Sequence, residues 1–156
     1  MTGEEASAAS APRQAGPRDA AEIARLYAQL VANPAVRVDP QRLAELAVAP
    51  DAAVLVLEGT GRLLGTVFLA LCPDVMFGTR PFAVVENIVV DDHARGQGIG
   101  ALLLAEAERF CLAANCSKSM LLSTAERIDA HRFFERAGYA GDRKRGFVKY
   151  LQAIRP

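Results

Sequence analysis

Residues 84–106 read VVENIVVDDHARGQGIGALLLAE, a β-branched run that passes through a short polar loop into glycine-spaced backbone and then into a helix. In Arg95-Gly96-Gln97-Gly98-Ile99-Gly100 every second residue from Gly96 lacks a Cβ, so the chain can turn tightly and bring bare backbone against a ligand. The first amides of the helix that follows have no carbonyl one turn earlier to bond, and they point at the same spot. Arg95 adds a cation at the mouth and Gln97 a neutral donor, a set suited to a dianion such as pyrophosphate. The stretch therefore specifies a strand, a helix, and an anion cradle between them.

Spacing narrows the ligand. A dinucleotide fold calls for G-x-G-x-x-G with an acidic residue about 20 positions later. Here the third glycine comes one residue early, and Lys118, Ser119 and Ser123 occupy the later region. A nucleoside triphosphate loop calls for a lysine after its last glycine, and Ala101 follows Gly100. What remains, R-x-x-G-x-G behind a strand carrying Glu86, resembles the acyl-CoA pyrophosphate loop of the GCN5-related N-acetyltransferase (GNAT) superfamily. Residues 121–139, LLSTAERIDAHRFFERAGY, resemble the same superfamily's late helix, A-x-x-F-Y-E-x-x-G followed by Phe or Tyr. The two motifs stand in order some thirty residues apart, and the resemblance runs from about Pro12 to Leu151.

That resemblance implies an α/β (α+β) fold: a mixed, mostly antiparallel central sheet of about six strands, flanked by about four helices. A cofactor splay would lie between the two central parallel strands. It also implies acetyl-CoA as cofactor, with coenzyme A as product. Carried residue by residue onto this chain, Ile88, Val89 and Val90 would pair with the pantetheine arm. The amides of Arg95, Gly96, Gln97, Gly98, Ile99, Gly100 and Ala101 would hold the pyrophosphate, in agreement with the anion argument above. Ala130, His131, Phe133 and Phe134 would line the thiol end.

Composition sets bounds around this reading. At 156 residues and 51% hydrophobic content the chain can bury one core and is too short for two ordinary domains. The expectation is one N-acetyltransferase domain over 12–156 behind a disordered tail over 1–11, because MTGEEASAASA holds no β-branched aliphatic or aromatic residue to pack. Eighteen basic and eighteen acidic residues cancel, which offers no general field for nucleic acid or an anionic membrane. No apolar run reaches the roughly 18 residues a membrane span requires. The three cysteines, Cys72, Cys111 and Cys116, suggest neither a disulfide framework nor a metal site and point to a reducing cytoplasm. A homodimer is compatible with all of this.

Periodicity supplies the elements. The resemblance places a first strand at Pro12–Ala15, where PRQA has little β propensity. Ile23, Leu26, Tyr27, Leu30 and Val31 form the stripe of a helix over Asp19–Ala32, stopped by Asn33-Pro34. A short helix over Pro40–Val48 starts with Asp39 as cap and proline at its first position. Strands over Ala52–Leu57 and Arg62–Leu71 flank Glu58-Gly59-Thr60-Gly61, a hairpin turn in which the glycines supply positive φ. A proline-containing connection over Cys72–Pro81 follows, then the strand Phe82–Val90 and the helix behind the glycines. Met120–Ser123 reads as a buried strand, Ile128–Ala137 as a helix closed by Gly138, and Phe147–Leu151 as a last strand.

Acetyl transfer to an amine needs a base, since an amine of pKa near 10 is mostly protonated at neutral pH. Glu86, a carboxylate in an apolar strand, is the candidate. Partial desolvation there moves its pKa toward the working range. Asn87 alternates to the other side of a regular strand. The family's usual acid for the departing thiolate is the tyrosine of F-Y-E, and Phe134 stands in its place. His131 is the nearest substitute, ahead of Ser123 and Tyr139. Arg127 stands where many family members carry an asparagine, and could meet an adenosine phosphate, a substrate carboxylate or phosphonate, or only Glu126 or Asp129 in solvent. The acceptor implied is a small-molecule primary amine; the run from Ser123 to Phe134 with Phe147-Val148-Lys149 resembles small-molecule amine acetyltransferases, including the aminoalkylphosphonate type, and Glu86 followed by a polar residue resembles the glucosamine-6-phosphate acetyltransferase pattern. A protein or peptide acceptor, or a non-catalytic acyl-CoA-binding module, stand as alternatives.

Overall fold

The computed structural model describes residues 10–152. Most of the segment expected as a tail, residues 1–9, lies outside them. Within them, five strands form one sheet in the order β1-β2-β3-β4-β5. These are β1 Arg13–Gln14, β2 Ala52–Gly59, β3 Arg62–Cys72, β4 Phe82–Val90 and β5 Ser119–Leu121. The first three pairings are antiparallel and β4 with β5 is parallel. Four helices cover it: α1 Ala20–Leu30, α2 Pro40–Ala47, α3 Ile99–Ala113 and α4 Ile128–Arg136.

The two faces separate cleanly. Ala53, Leu55 and Leu57 of β2 join Val67 and Leu69 of β3 beneath Ile99, Leu103 and Ala107 of α3 and Phe134 of α4. Val54 and Val56 face the other way, onto Ile23 and Leu26 of α1 and Leu43 of α2. Strand period two against helix period 3.6 produces this division directly. The Asp39 side chain caps α2 by accepting from the Gln41 amide at 2.9 Å, as expected.

Weak local propensity at the first strand is overcome by tertiary contacts. The Ala15 amide donates to the Val54 carbonyl at 2.8 Å. Arg13 reaches Asp19 at 2.8 Å and Glu58 at 2.9 Å, which fixes the strand's ends. In the β2–β3 hairpin the positive φ angles fall on Thr60 and Gly61, so Gly59 is not one of the left-handed residues.

Two expectations are corrected at the far edge. Ser119–Leu121 is shorter than expected and half-buried. Phe147–Leu151, read as a final strand, has no ladder; Phe147 is 87% and Tyr150 88% exposed. Among the described residues the count is therefore five strands, and β5 lies at the sheet's edge. Three residues of β5 offer few bonds to a further strand, so β propensity in FVKYL has no template here.

Candidate active site

Strand β4 runs between two partners that treat it differently. On the β3 side it is paired from Phe82 to Val90. On the β5 side pairing ends at Val85 with Leu121, so the strands part there and the later half of β4 keeps a free edge. Among the described residues, backbone groups of Ile88, Val89 and Val90 on that edge have no strand partner, which is the splay expected between parallel strands.

A bulge changes what β4 presents at this point. Thr66 faces Val89 and Phe68 faces Glu86, so two residues, Asn87 and Ile88, stand opposite Val67 alone. Asn87 takes φ 53°, a left-handed value that asparagine tolerates better than most residues. Before the bulge Ala83 and Val85 face α3; after it Ile88 and Val90 do, while Val89 turns to α1. The regular alternation assumed from sequence therefore breaks at the residue next to Glu86. Glu86 itself is half-buried, and burial holds its carboxyl above the usual carboxylate range. It forms no ion pair or hydrogen bond among the described residues, which leaves both oxygens available. Asn87 lies beside the Tyr27 phenol, whose pKa burial pushes up.

Beyond β4, the Asp91 side chain accepts from the His93 amide at 3.0 Å and pairs with Arg25, while Arg25 Nη2 donates to the Leu63 carbonyl at 2.8 Å. This knot ties α1 to the strand ends and fixes where the glycine loop starts. Gly96 and Gly98 have φ of 76° and 78°, and Gly98 is the N-cap of α3 without any side-chain cap. Only glycine holds that geometry without strain, and it leaves the first amides of α3 bare. A Cβ at Gly100 would come within 2.9 Å of the Phe133 ring, so α3 and α4 meet through a glycine–phenyl contact.

These pieces enclose a cleft of about 780 Å³. Ile88, Val89 and Val90 form its floor; Arg95, Gly96, Gly98, Ile99, Gly100 and Ala101 close one end; Ala130, Phe133 and Phe134 form the α4 wall. Gln97 is elsewhere, in a neighbouring depression with Thr60, Arg62 and His93. Glu86 and His131 are not part of the cleft's lining. His131 Nε2 is 2.8 Å from the Thr124 carbonyl, which commits that nitrogen to holding the β5–α4 turn. Phe134 is 6% exposed and packs edge-on against Tyr139, whose hydroxyl is 3.1 Å from Ser119 Oγ. Arg95 pairs with Asp92 at 2.6 Å on the surface.

Sequence reasoning passed over Gln29, Leu30, Ile128 and Arg136, which also line the cleft. Gln29 could not be foreseen, because its Oε1 accepts from the Asp92 amide at 3.0 Å across a gap of 63 residues. Arg136 had a local signal: it falls three residues after Phe133, on the same helical face. Among the described residues no cluster of His, Cys, Asp or Glu suits a metal ion, and no helix is long and apolar enough to cross a membrane.

Comparison with known proteins agrees with this geometry. Residues 20–139 match the model of the acetyltransferase (GNAT) family. Over 82 residues the chain is 29% identical to glucosamine 6-phosphate N-acetyltransferase of Trypanosoma brucei brucei, covering 53% of this chain and 54% of that protein. Over 70 residues it is 42% identical to aminoalkylphosphonate N-acetyltransferase of Salmonella typhimurium, covering 45% of this chain and 43% of that protein. The matched stretches thus span about half the length of these relatives. A putative acetyltransferase from Agrobacterium tumefaciens superposes with a TM-score of 0.81 at 26% identity, over 90% of this chain and all of that one.

Proposed function

Because the chain belongs to the acetyltransferase (GNAT) family, we propose that it transfers the acetyl group of acetyl-CoA to a primary amine of a small molecule. Membership implies an acyl-CoA donor; acetyl as the acyl group and a small amine as acceptor are the proposal. One observation carries it: the cleft opens where β4 leaves β5 and ends on the bare amides behind Arg95.

The residues suit the cofactor in kind. A pyrophosphate would sit on the amides from Gly98 to Ala101, at the positive end of α3. The free edge at Ile88–Val90 would hydrogen-bond the pantetheine amides, and Phe133 and Phe134 would keep water from the thiol end. Bound acetyl-CoA supplies an activated acetyl thioester. Glu86 takes the ammonium proton, directly or through one water, and desolvation raises its basicity for that task. Among the described residues that line the cleft there is no Tyr, Cys, His or Lys to protonate the departing sulfur. His131, next to cleft residue Ala130, has its Nε2 on the Thr124 carbonyl, so a proton for the sulfur would come from its other ring nitrogen, Nδ1.

A small acceptor is supported by the two curated relatives, whose names specify an amino sugar phosphate and an aminoalkylphosphonate. The test is thiol release from acetyl-CoA with a panel of primary amines, aminophosphonates and peptides. Turnover with a small amine is the expected result. Acetyl-CoA binding without turnover on any amine supports a binding module instead, and preference for peptides moves the acceptor class.

A further inference from the structure

At the end of α3 remote from the cleft, two of the three cysteines share one motif. The helix stops at Ala113, and Asn115, just beyond the cap Ala114, takes φ 56°, a left-handed value. The Asn115 amide donates to the Leu112 carbonyl at 3.0 Å and the Cys116 amide to the Cys111 carbonyl at 3.0 Å, the paired bonds of a Schellman motif. In that motif the side chains of the two residues joined by the outer bond meet in a contact that is ordinarily hydrophobic. Here both are thiols.

The outer bond also sets a distance. With standard backbone dimensions it keeps the Cα atoms of Cys111 and Cys116 within about 7 Å, inside the reach of a disulfide. Cys111 is buried in the core under α3, and Cys116 packs half-buried against the same core. Burial pushes the Cys111 thiol up to about 11, with a further rise from the neighbouring Cys116 thiol. Burial raises the Cys116 thiol as well, opposed by Cys111 and by the Arg80 guanidinium, which donates to the Asn115 and Cys116 carbonyls at 3.1 and 3.2 Å. Thiols of raised pKa attack slowly at neutral pH and leave poorly, so a bond between these two forms slowly and then resists reduction.

We propose that Cys111 and Cys116 are a reversible modification site, joined into a disulfide by a low-molecular-weight disulfide, which clamps the turn from α3 into β5. Cys116, the thiol reached from solvent, gives up its proton and attacks one sulfur of the small disulfide, releasing one small thiolate. Cys111 gives up its proton, attacks the Cys116 sulfur and releases the second. The two small thiolates take up the two protons, so two protein thiols are oxidised and one small disulfide is reduced. The clamped segment is already tied to the start of β4, where the Ser117 amide donates to the Pro81 carbonyl at 2.8 Å and the Ala83 amide to the Lys118 carbonyl at 2.9 Å. Cys72, at the end of β3, lies outside the motif.

The test is mass spectrometry of the folded protein after incubation with excess glutathione disulfide, before and after a phosphine reductant. Trypsin releases Cys111 and Cys116 in one peptide, 110–118, and Cys72 in another. The expected result is loss of two hydrogens from 110–118, regained on reduction, in the wild type and in Cys72→Ala alike. Cys116→Ala should leave Cys111 unmodified, and Cys111→Ala should stop at a glutathione adduct on Cys116. A lasting glutathione adduct on Cys116 in the wild type, a bridge that includes Cys72, or three free thiols overturns the inference. Oxidation of Cys111 in Cys116→Ala also overturns it. Circular dichroism checks that each variant is folded, and the wild-type peptide map decides alone if Cys111→Ala is not.

Discussion

The two halves of β4 do different work. Its first half, Phe82–Val85, is bonded on both sides and is framework. The second half has lost β5, carries the bulge at Asn87, and leads into left-handed glycines. Sheet bonding withheld from one edge becomes bonding capacity for a ligand, and Glu86 stands at the boundary between the halves. On the proposed reading the donor end would be held by backbone and glycine, whereas the acceptor end would depend on Glu86, whose carboxyl partial burial holds above its usual range.

The contrast can be broken first at the boundary. Glu86→Gln removes the base and keeps the shape, so turnover should fall by roughly 10² to 10⁴, with acetyl-CoA affinity nearly unchanged. Steady-state rates and calorimetry on the same preparation check both halves of that statement. Equal loss of affinity would mean that the carboxylate shapes the donor end as well.

At the donor end the corresponding change is Gly98→Val. A β-branched residue at φ 78° is strained and would crowd the cradle, so acetyl-CoA should bind about 10 to 100-fold more weakly, while Glu86 remains intact. Calorimetry measures it. Unchanged affinity would place the pyrophosphate elsewhere.

The framework itself should show an acid limit. The His93 amide and Arg25 hold the Asp91 carboxyl below its usual range, and Arg13 does the same for Asp19. Groups with depressed folded values stabilise fully above the unfolded value of about 3.9 and lose that contribution as pH falls through the folded value. Urea melts from pH 7 to pH 3 should therefore show stability declining below about pH 4. Asp91→Asn should cost about 1–3 kcal/mol at pH 7 and flatten that decline.

The smallest effects belong to the α4 wall. His131→Ala should change turnover by only a few fold, since its Nε2 is committed to Thr124. A loss approaching that of Glu86→Gln would make His131 the acid for the thiolate. Phe134→Tyr, in a ring already buried against Tyr139, should leave acetyl-CoA affinity unchanged and raise turnover if protonation of the sulfur limits the rate.

What could be read from sequence follows the same division. The bounds of β4, the cap at Asp39 and the left-handed glycine that starts α3 are local chemistry, and they appear where the residues place them. The bulge at Asn87 was not legible as such, because a register shift depends on the partner strand. Its trace was an asparagine, a poor strand former, within a β-branched run. Glu86 was found as a carboxylate in an apolar setting, yet its side of the sheet depends on that shift. Phe147–Leu151 has strand composition, but composition cannot supply an edge to pair with. Gln29 came to the cleft through tertiary contacts alone.

The most direct test of the central claim is the pH dependence of thiol release from acetyl-CoA with an accepted amine, wild type against Glu86→Gln. The account predicts an acidic limb set by a carboxylate with a raised pKa in the wild type, and its disappearance in the variant together with most of the rate. The same limb and rate in both proteins would contradict it.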